Sequence, residues 1–515
     1  MIPTIVAPIA VFLGAPLLAA VLSLSTRRAH VLHGLNLATM TALVIAEIGV
    51  VQHVLAQGPV TALWGMVYVD ALSAFILLII TTIGLTCSLY TWSYLDDHVA
   101  QGILTPSRLS RFFFLFHLFL FTMIAATTAN NLGVLWVAIE GTTLATTFLI
   151  AFFRKREGLE AGWKYLILCS VGIALALFGT VLTYYSSVRV LGDVSTALHV
   201  TKLLEVAGQL EPHVLKLAFI FILVGYGTKI GLVPMHTWVP EAYSEAPAPV
   251  TAMLAGVLET VAVYAVLRSK AIMDHALPPN FTGNLLVMFG LLSFIVAGLF
   301  ILIQRDYKRL FAYSSIEHMG VAMAGFGVGG PVGIFGGLFH LLNHALAKSL
   351  AFFSAGNVHR RFATREIHEV RGLAKVQPVT AVAILVAGLA LVGMPPFSMF
   401  SSEFLVVSAL ATQGFASDSL HLGRFITITI ADDVRSLFIS IVFLMFAVAL
   451  FGGFAYRLVA MVWGTPPEGV KCGEEWAVGH VPLIATCIAM IVLGVALPGP
   501  IRGLLDHAVT VLSIR

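Results

Sequence analysis

Stretches of roughly 20 mainly apolar residues recur from Ile2 to near Leu505, and they constrain the fold more than any other feature of the chain. Of the 515 residues, 59% are hydrophobic and only 11% are charged, whereas soluble proteins carry about 25% charged residues. A bilayer leaves α-helices and closed β-barrels as the only spanning structures. The apolar runs are continuous rather than alternating, so the sequence predicts an all-α, polytopic membrane protein.

The pattern predicts about fourteen transmembrane helices. They are expected at 2–24, 32–54, 69–94, 112–129, 131–153, 163–187, 215–246 (interrupted), 248–270, 284–304, 308–328, 331–357, 378–411 (interrupted), 436–462 and 479–500. The first span lacks a charged N-terminal region and a small-residue cleavage site, so we expect a retained helix rather than a cleaved signal.

Cysteine spacing and net charge both limit the cofactors and partners that the chain is expected to bind. Four cysteines are scattered without a C-x-x-C or ferredoxin-like spacing: Cys87, Cys169, Cys472 and Cys487. We therefore expect no iron–sulfur cluster, no zinc site and no other cofactor, and any redox chemistry belongs to another polypeptide. The net charge of +3 gives no indication of a nucleic-acid partner.

Basic residues are distributed unevenly among the predicted loops. Loops after odd-numbered helices carry clusters such as Arg154, Lys155 and Arg156, and the loops after helices two, four and ten carry no lysine or arginine. Because basic loops remain in the cytoplasm, the N-terminus is predicted to lie outside the inner (plasma) membrane. The loop after helix six, with Arg189 and Lys202, fits this orientation less well.

Prolines interrupt two of the predicted spans. Pro234 lies in one, and Pro395 with Pro396 lies in the other. Proline removes a backbone donor and clashes with the preceding turn, so each helix is expected to break there. Prolines are also tolerated in membrane helices without any function, but ionisable residues beside both breaks, Lys229 and Glu403, favour a functional interpretation.

The two breaks lie five predicted helices apart. Units repeated at an odd helix offset enter the membrane in opposite directions. The sequence thus predicts two inverted five-helix repeats, at 112–270 and 284–462, each containing one broken helix. Three N-terminal helices (1–111) precede them and a C-terminal helix (479–515) follows.

Lys229 is a charged residue in the middle of the first interrupted span. An ionisable residue at bilayer depth marks a functional site by default. Glu140, in another helix, has no charged neighbour within one turn, and we predict that it is the partner of Lys229. Such a pair titrates as a unit, so a proton arriving at one residue changes the proton affinity of the other. The alternative is a static buried ion pair that only determines helix register.

Helix eleven carries the densest set of ionisable residues. A spacing of four places His340, His344 and Lys348 on one face of the helix. Histidine titrates near neutral pH, so two imidazoles leading to a lysine suit a proton wire. H-x-x-x-H also resembles a zinc pair, but the H-E-x-x-H glutamate and a third ligand are missing locally. Glu403, just after the second break, closes this row.

Several further ionisable residues are secondary candidates for the same pathway. They are Lys164, His236, Glu259, Glu317 and His318. Lys164, like Asp70, lies near a predicted helix end, where a long or polar side chain often only reaches towards the interface.

The segment Lys229-x-x-x-x-Pro234-x-His236-x-Trp238-x-Pro240-Glu241-Ala242 resembles a signature of one membrane-protein family. These are the antiporter-like subunits of respiratory complex I, Mrp cation/proton antiporters and membrane-bound hydrogenases. The resemblance spans nearly the whole chain. The segments beginning at Ala161 and at Tyr307 are most similar to the F component of hydrogenase-4-type complexes.

The resemblance implies a fourteen-helix core in which half-channels meet along a hydrated central axis. It implies that Glu140 and Lys229 form the family's glutamate–lysine pair. It further implies that the central relay falls on the histidine and lysine residues of helix eleven, and that Glu403 is the terminal exit residue. The chain departs from the family at Tyr243, where a histidine is common, and at Thr260, where many members have a lysine.

The function implied is that of a proton-translocating subunit of a redox complex, with no redox centre and no enzymatic activity of its own. Its expected partners are the lipid bilayer, other membrane subunits and, through them, a soluble redox arm. The chain ends at Arg515 without a long lateral helix, which favours a hydrogenase-like or middle-position subunit. The alternatives are a cation/proton antiporter subunit carrying protons or sodium, a membrane component of a bicarbonate-uptake complex, and a vestigial subunit that no longer conducts.

Overall fold

A computed structural model describes residues 6–412, 420–422, 426–428 and 432–513 of the chain. Its helices in chain order are α1 (Val6–Ser25), α2 (Ala29–Gln57), α3 (Ala71–Ala100), α4 (Pro106–Thr128), α5 (Leu132–Ile150), α6 (Arg156–Leu191), α7 (Val200–Val206), α8 (Pro212–Ile230), α9 (Val239–Glu245), α10 (Ala248–Met253), α11 (Glu259–Met273), α12 (Phe281–Ile303), α13 (Tyr307–Val328), α14 (Gly330–Phe362), α15 (Leu373–Val376), α16 (Pro378–Leu391), α17 (Ser398–Thr412), α18 (Asp432–Val462), α19 (His480–Val495) and α20 (Gly499–Leu512). Two short antiparallel hairpins complete the fold, β1 (Val60–Ala62) with β2 (Val67–Val69) and β3 (Leu420–Leu422) with β4 (Ile426–Ile428).

Helices occupy every predicted apolar span, which confirms an all-α, polytopic membrane protein. In the described ranges, ten helices are long and apolar enough to cross a bilayer, or up to eleven if a bent pair forms one span. That pair is α19 and α20, which bend by 68° where the sequence predicts one helix over 479–500. The number of fourteen spans and the inverted repeats remain predictions.

Both proline-containing spans are interrupted as expected. The first break separates α8 from α9, and the second separates α16 from α17. At the first break, Gly231 follows α8 in the left-handed region with φ 84°, which glycine adopts without steric cost. Trp238 then folds back and donates from Nε1 to the carbonyl of Thr228 at 2.7 Å. The same carbonyl, at the end of the helix, also accepts from the backbone N–H of Gly231 at 3.2 Å, so the indole is its second donor.

Small residues allow the central helices to approach closely. A Cβ atom on Gly225 of α8 would lie 2.5 Å from the backbone nitrogen of Ala176 on α6. Interfaces of this kind are typical of membrane helices, because backbone contact replaces the missing hydrophobic driving force. The span Ala248–Met273 is formed by α10, a π-helical turn at Leu254–Leu258 and α11, and all of its residues except Lys270 are buried.

Asp70 is buried in a pair with Arg268 and does not reach towards an interface as the sequence suggested. It caps α3 by accepting from the backbone N–H of Ser73 at 3.0 Å. Both of its oxygens also accept from Arg268 of α11, at 2.6 Å for the longer of the two contacts. The arginine is 1% exposed and the aspartate 3%, so this pair joins α3 to α11 in the interior.

Candidate functional site

Lys229 lies one residue before the end of α8 and is completely buried. Its ammonium group donates to the hydroxyl of Thr143 on α5 at 2.8 Å and to the phenol of Tyr165 on α6 at 2.5 Å. The same nitrogen lies 4.6 Å from the centre of the Tyr165 ring. The lysine is thus held by neutral oxygens and an aromatic face, at the point where three helices meet.

Glu140 approaches this lysine through an intervening hydroxyl. Its two oxygens accept from Thr143 at 3.3 Å, on the same helix, and from Ser170 of α6 at 3.0 Å. A hydroxyl group donates and accepts at once, so Thr143 accepts from Lys229 while it donates to Glu140. In the described part of the chain no direct ion pair within 4.0 Å joins Glu140 to Lys229. Glu140 itself is only partly buried.

Aromatic side chains connect the surroundings of Lys229 to the centre of the chain. The Tyr165 ring lies edge-on to Trp238 with centroids 4.9 Å apart, and Trp238 lies 5.8 Å from Tyr243. The phenol of Tyr243 donates to Glu259 at 2.6 Å. The indole therefore separates two buried phenols, one at Lys229 and one at Glu259.

A π-helical turn shapes the contact between Glu259 and His344. Nε2 of His344 lies 3.3 Å from Glu259 and 3.1 Å from the carbonyl oxygen of Ala255. Ala255 lies within the turn Leu254–Leu258, and π-turns are frequent at functional sites because they release backbone groups from the regular helix ladder. The backbone of this turn thereby provides a partner for a histidine of α14.

His318 of α13 lies between the two histidines of α14. Its ring centroid is 5.2 Å from that of His340 and 5.7 Å from that of His344. Nδ1 of His318 is 3.6 Å from Glu403, and Nε2 is 3.4 Å from Glu317. Two secondary candidates, Glu317 and His318, are thus brought together with three of the primary ones.

Glu403 lies beside the second helix break. Gly393 packs against its carboxylate, and a Cβ atom there would overlap a carboxylate oxygen. Glu403 and Glu317 also line a cavity of about 20 Å³ together with Ser314, which is enough space for one water molecule. The two carboxyl groups and one hydroxyl therefore share a cavity of one-water size that is otherwise lined by apolar side chains.

Lys348 shares the buried face of α14 with the histidines but contacts a different helix. It donates to the carbonyl of Phe311 at 2.8 Å and to the hydroxyl of Ser314, both on α13. His340 instead meets α17, where its Nδ1 lies 3.1 Å from Ser402. The three residues His340, His344 and Lys348 share one buried face of α14. Each of them contacts a different neighbouring element.

Two of the secondary candidates lie outside this interior group. Lys164 is on the surface of α6, with its side chain 45% exposed, and bridges Glu160 and Glu241 at 2.8 Å each. His236 lies within the first break, where its buried Nδ1 has no hydrogen-bond partner among the described residues. The other three secondary candidates are all interior.

Neutral residues connect the charged ones, and the sequence did not reveal them. These are Thr143, Ser170, Tyr165, Ser314 and Ser402. Thr143 alone carried a local signal, because a spacing of three places it on the same helix face as Glu140. The others meet their partners only through helix packing.

Three side chains form a set that could hold a metal ion. His318, His340 and Glu403 each offer one ligand atom, and these atoms lie within 4.8 Å of one another. Two imidazoles and a carboxylate suit a transition metal better than sodium, which prefers oxygen ligands. The prediction that no metal is bound remains untested.

The sequence matches a known family over most of the interior described above. Residues 129–427 match the transmembrane family described as "NADH:quinone oxidoreductase/Mrp antiporter, TM". The "Hydrogenase-4 component F homolog" of Methylacidiphilum infernorum (isolate V4) is 42% identical over 344 residues, which cover 66% of this chain and 72% of the relative. The chain belongs to this antiporter-like family. It is therefore a membrane subunit of the antiporter-like type, as its sequence motifs predicted.

Two solved structures have the same fold as this chain. The first is from the membrane-bound sulfane sulfur reductase, an archaeal respiratory membrane complex, with a TM-score of 0.82 and 23% identity over 98% of this chain and 97% of that one. The second is from the Mrp complex of Dietzia sp. DQ12-45-1b, with a TM-score of 0.79 and 19% identity over the same shares. Both belong to multi-subunit membrane complexes, which agrees with partners that are themselves membrane subunits.

Proposed function

We propose that this chain is the proton-translocating subunit of a multi-subunit redox complex of the hydrogenase-4 type in the inner membrane. The observation that carries the proposal is the series of ionisable and hydroxyl groups that runs from the buried Lys229 to the partly buried Glu403. Family membership and the 42% identity to a hydrogenase-4 component F homolog support it. Electron transfer would take place in partner subunits of a redox arm. Its effect on this chain would be a change of charge in the neighbouring subunits.

In this proposal, Lys229 is the switch and Thr143 its connection to Glu140. A proton or charge arriving at Glu140 weakens or strengthens the bond that Thr143 makes to the lysine. Moving one elementary charge against 100 mV requires about 2.3 kcal/mol, and a hydrogen bond to a charged group is worth about 1.5–3 kcal/mol. The free energy of a single hydrogen bond at Lys229 is thus comparable to the free energy needed to move one charge across the membrane.

The proton then passes along the interior towards Glu403. We propose the order Tyr243, Glu259, His344, His318 and Glu403, which follows the contacts of 2.6, 3.3 and 3.6 Å and the ring distance of 5.7 Å. Water beside the indole of Trp238 would have to complete the step from the phenol of Tyr165. His340 and Lys348 lie on the same helix as His344, and in this proposal they influence the proton affinity of His344 and His318.

The repeat organisation belongs to the same proposal. We infer that 112–270 and 284–462 are inverted repeats, because the broken pairs α8–α9 and α16–α17 occupy corresponding positions in them. Inverted repeats would place the two half-channels on opposite sides of the membrane, and the orientation with the N-terminus outside would decide which half-channel opens to which side.

Replacement of Lys229 by alanine tests the proposal in inverted membrane vesicles that contain the intact complex. We expect redox turnover and assembly to persist while proton uptake per turnover is lost. Lys202→Ala is the matched control, because that lysine is exposed and pairs with nearby Glu205. Normal proton uptake per turnover in Lys229→Ala would contradict the proposal.

A cation/proton antiporter subunit is the second candidate, because the matching family itself includes Mrp antiporters. In that case the same interior would exchange protons for sodium without an attached redox enzyme. Purification of the complex identifies the partner subunits, and radioactive sodium uptake by vesicles under a proton gradient measures the exchange. Sodium uptake abolished by Lys229→Ala would favour the antiporter.

A further inference from the structure

A second group of buried polar side chains lies in the N-terminal helices, apart from the central row. On α2, His33, Asn36 and Glu47 are only 1–2% exposed. Their spacing places them on one helix face, together with Met40 and Leu43, which are also buried. This face packs into the protein, so the polar residues do not face lipid.

Glu47 is the member of this group whose burial costs the most free energy. In the described part of the chain, neither of its carboxylate oxygens has a hydrogen-bond partner. An unpaired carboxylate charge in apolar surroundings costs far more free energy than the neutral acid. Glu47 is therefore expected to hold a proton, and an ionisable residue at this depth calls for a functional reason.

The register between α2 and α3 follows from two contacts. The His33 ring stacks on Trp92 with centroids 5.3 Å apart. About two turns further along, a Cβ atom on Gly84 would lie 2.8 Å from the sulfur of Met40. Residue numbers rise on α2 as they fall on α3, so the two helices are antiparallel and their facing residues can be read off directly.

This register places further polar groups between His33 and Glu47. Ser88 of α3 comes to lie opposite Asn36, and both have a buried oxygen without a hydrogen-bond partner in the described ranges. Thr81, 1% exposed, comes to lie about one turn before Glu47. Polar groups thus lie near both ends of this stretch, with the contact between Met40 and Gly84 between them.

The other end of the group reaches water. Nε2 of His33 lies 3.0 Å from Asp96, whose side chain is 44% exposed. Phe113 of α4 meets the His33 ring edge-on at 5.2 Å, and His117 lies one turn deeper with a buried, unpartnered Nε2. A titratable residue at the surface is therefore in contact with the first imidazole of the series.

We propose that Glu47 is a second proton-binding site, outside the central row, that exchanges its proton with water at Asp96 through His33. Beyond Glu47 the same face of α2 continues with the apolar residues Val50 and Val54, so we place the end of the path at Glu47. Fourteen residues of helix separate His33 from Glu47, about 21 Å, and water molecules must complete the series. In each exchange the carboxyl O–H bond breaks and an O–H bond to a solvent proton forms, so no net charge moves.

Infrared spectroscopy of the purified full-length protein tests this proposal. The carbonyl band of protonated carboxyl groups should lose one component in Glu47→Gln, and in the wild-type protein that component should shift after transfer to D2O. Thr41→Val, on the lipid-exposed side of the same helix, should leave the band unchanged. A band that is identical in wild type and Glu47→Gln would overturn the proposal.

His33→Phe, which preserves the ring stacking, tests the path itself. Hydrogen–deuterium exchange of the Glu47 component should slow at least tenfold, and an unchanged rate would overturn the path through His33. If Glu47→Gln does not fold, labelling of the wild-type protein with dicyclohexylcarbodiimide, which reacts with protonated carboxyl groups, should modify Glu47 in peptide mass spectra. Absence of that label would contradict a protonated Glu47. Lys229→Ala should not affect this exchange, which separates the inference from the proposed function.

Discussion

Replacing Thr143 with valine is the most direct test of the contact between Glu140 and Lys229. Valine retains the branched shape but removes the hydroxyl that accepts from Lys229 at 2.8 Å and donates to Glu140 at 3.3 Å. A hydrogen bond to a charged group is worth about 1.5–3 kcal/mol, and about 1.4 kcal/mol changes a rate tenfold. We therefore expect proton uptake per redox turnover to fall roughly 10- to 150-fold, while Tyr165 continues to hold the lysine.

Thr142→Val is the matched control for this experiment. Its hydroxyl is also buried but donates to the carbonyl of Ile139 on its own helix at 2.6 Å, so its loss should leave proton uptake nearly normal. Both variants are measured in inverted membrane vesicles by quenching of a pH-sensitive dye, normalised to redox turnover and to the amount of assembled subunit. Wild-type uptake in Thr143→Val, or equal losses in the two variants, would refute the role of Thr143.

Three further predictions concern stability and the second helix break. Asp70→Asn leaves Arg268 buried without its counter-charge and should destabilise the protein by about 3–5 kcal/mol; an unchanged thermal midpoint in detergent would contradict this. Burial raises the pKa of Glu474, but hydrogen bonds from neighbouring side chains and backbone N–H groups outweigh it and hold the pKa below the ordinary 4.5. The stabilisation is thus present above about pH 4.5 and is lost as the pH falls through the lowered pKa. The difference in Tm between wild type and Glu474→Gln should accordingly close in acid, and a difference independent of pH would be inconsistent with this cause. Gly393→Ala puts a side chain into a left-handed position with φ 65° and against a carboxylate, so proton uptake should fall at least tenfold, whereas Gly452→Ala, with open space around it, should be neutral.

The parts of the site that follow helical period were predictable from the sequence. His340, His344 and Lys348 lie on one buried face of α14 because a spacing of four repeats nearly every turn. His318 was only a secondary candidate, although it lies between the two histidines. It belongs to another helix, and the sequence does not specify which faces of two helices meet.

The sequence by itself determined that the chain forms membrane helices, that two of them break at prolines, and that Lys229 is buried with its charge. These are consequences of apolar run length, proline geometry and residue type, which are local properties. Only the tertiary structure decided that Thr143, 86 positions away, stands between Lys229 and Glu140, and that a π-turn carbonyl meets His344. Such contacts depend on the rotation and register of packed helices, and side-chain packing determines these only when the whole chain is assembled.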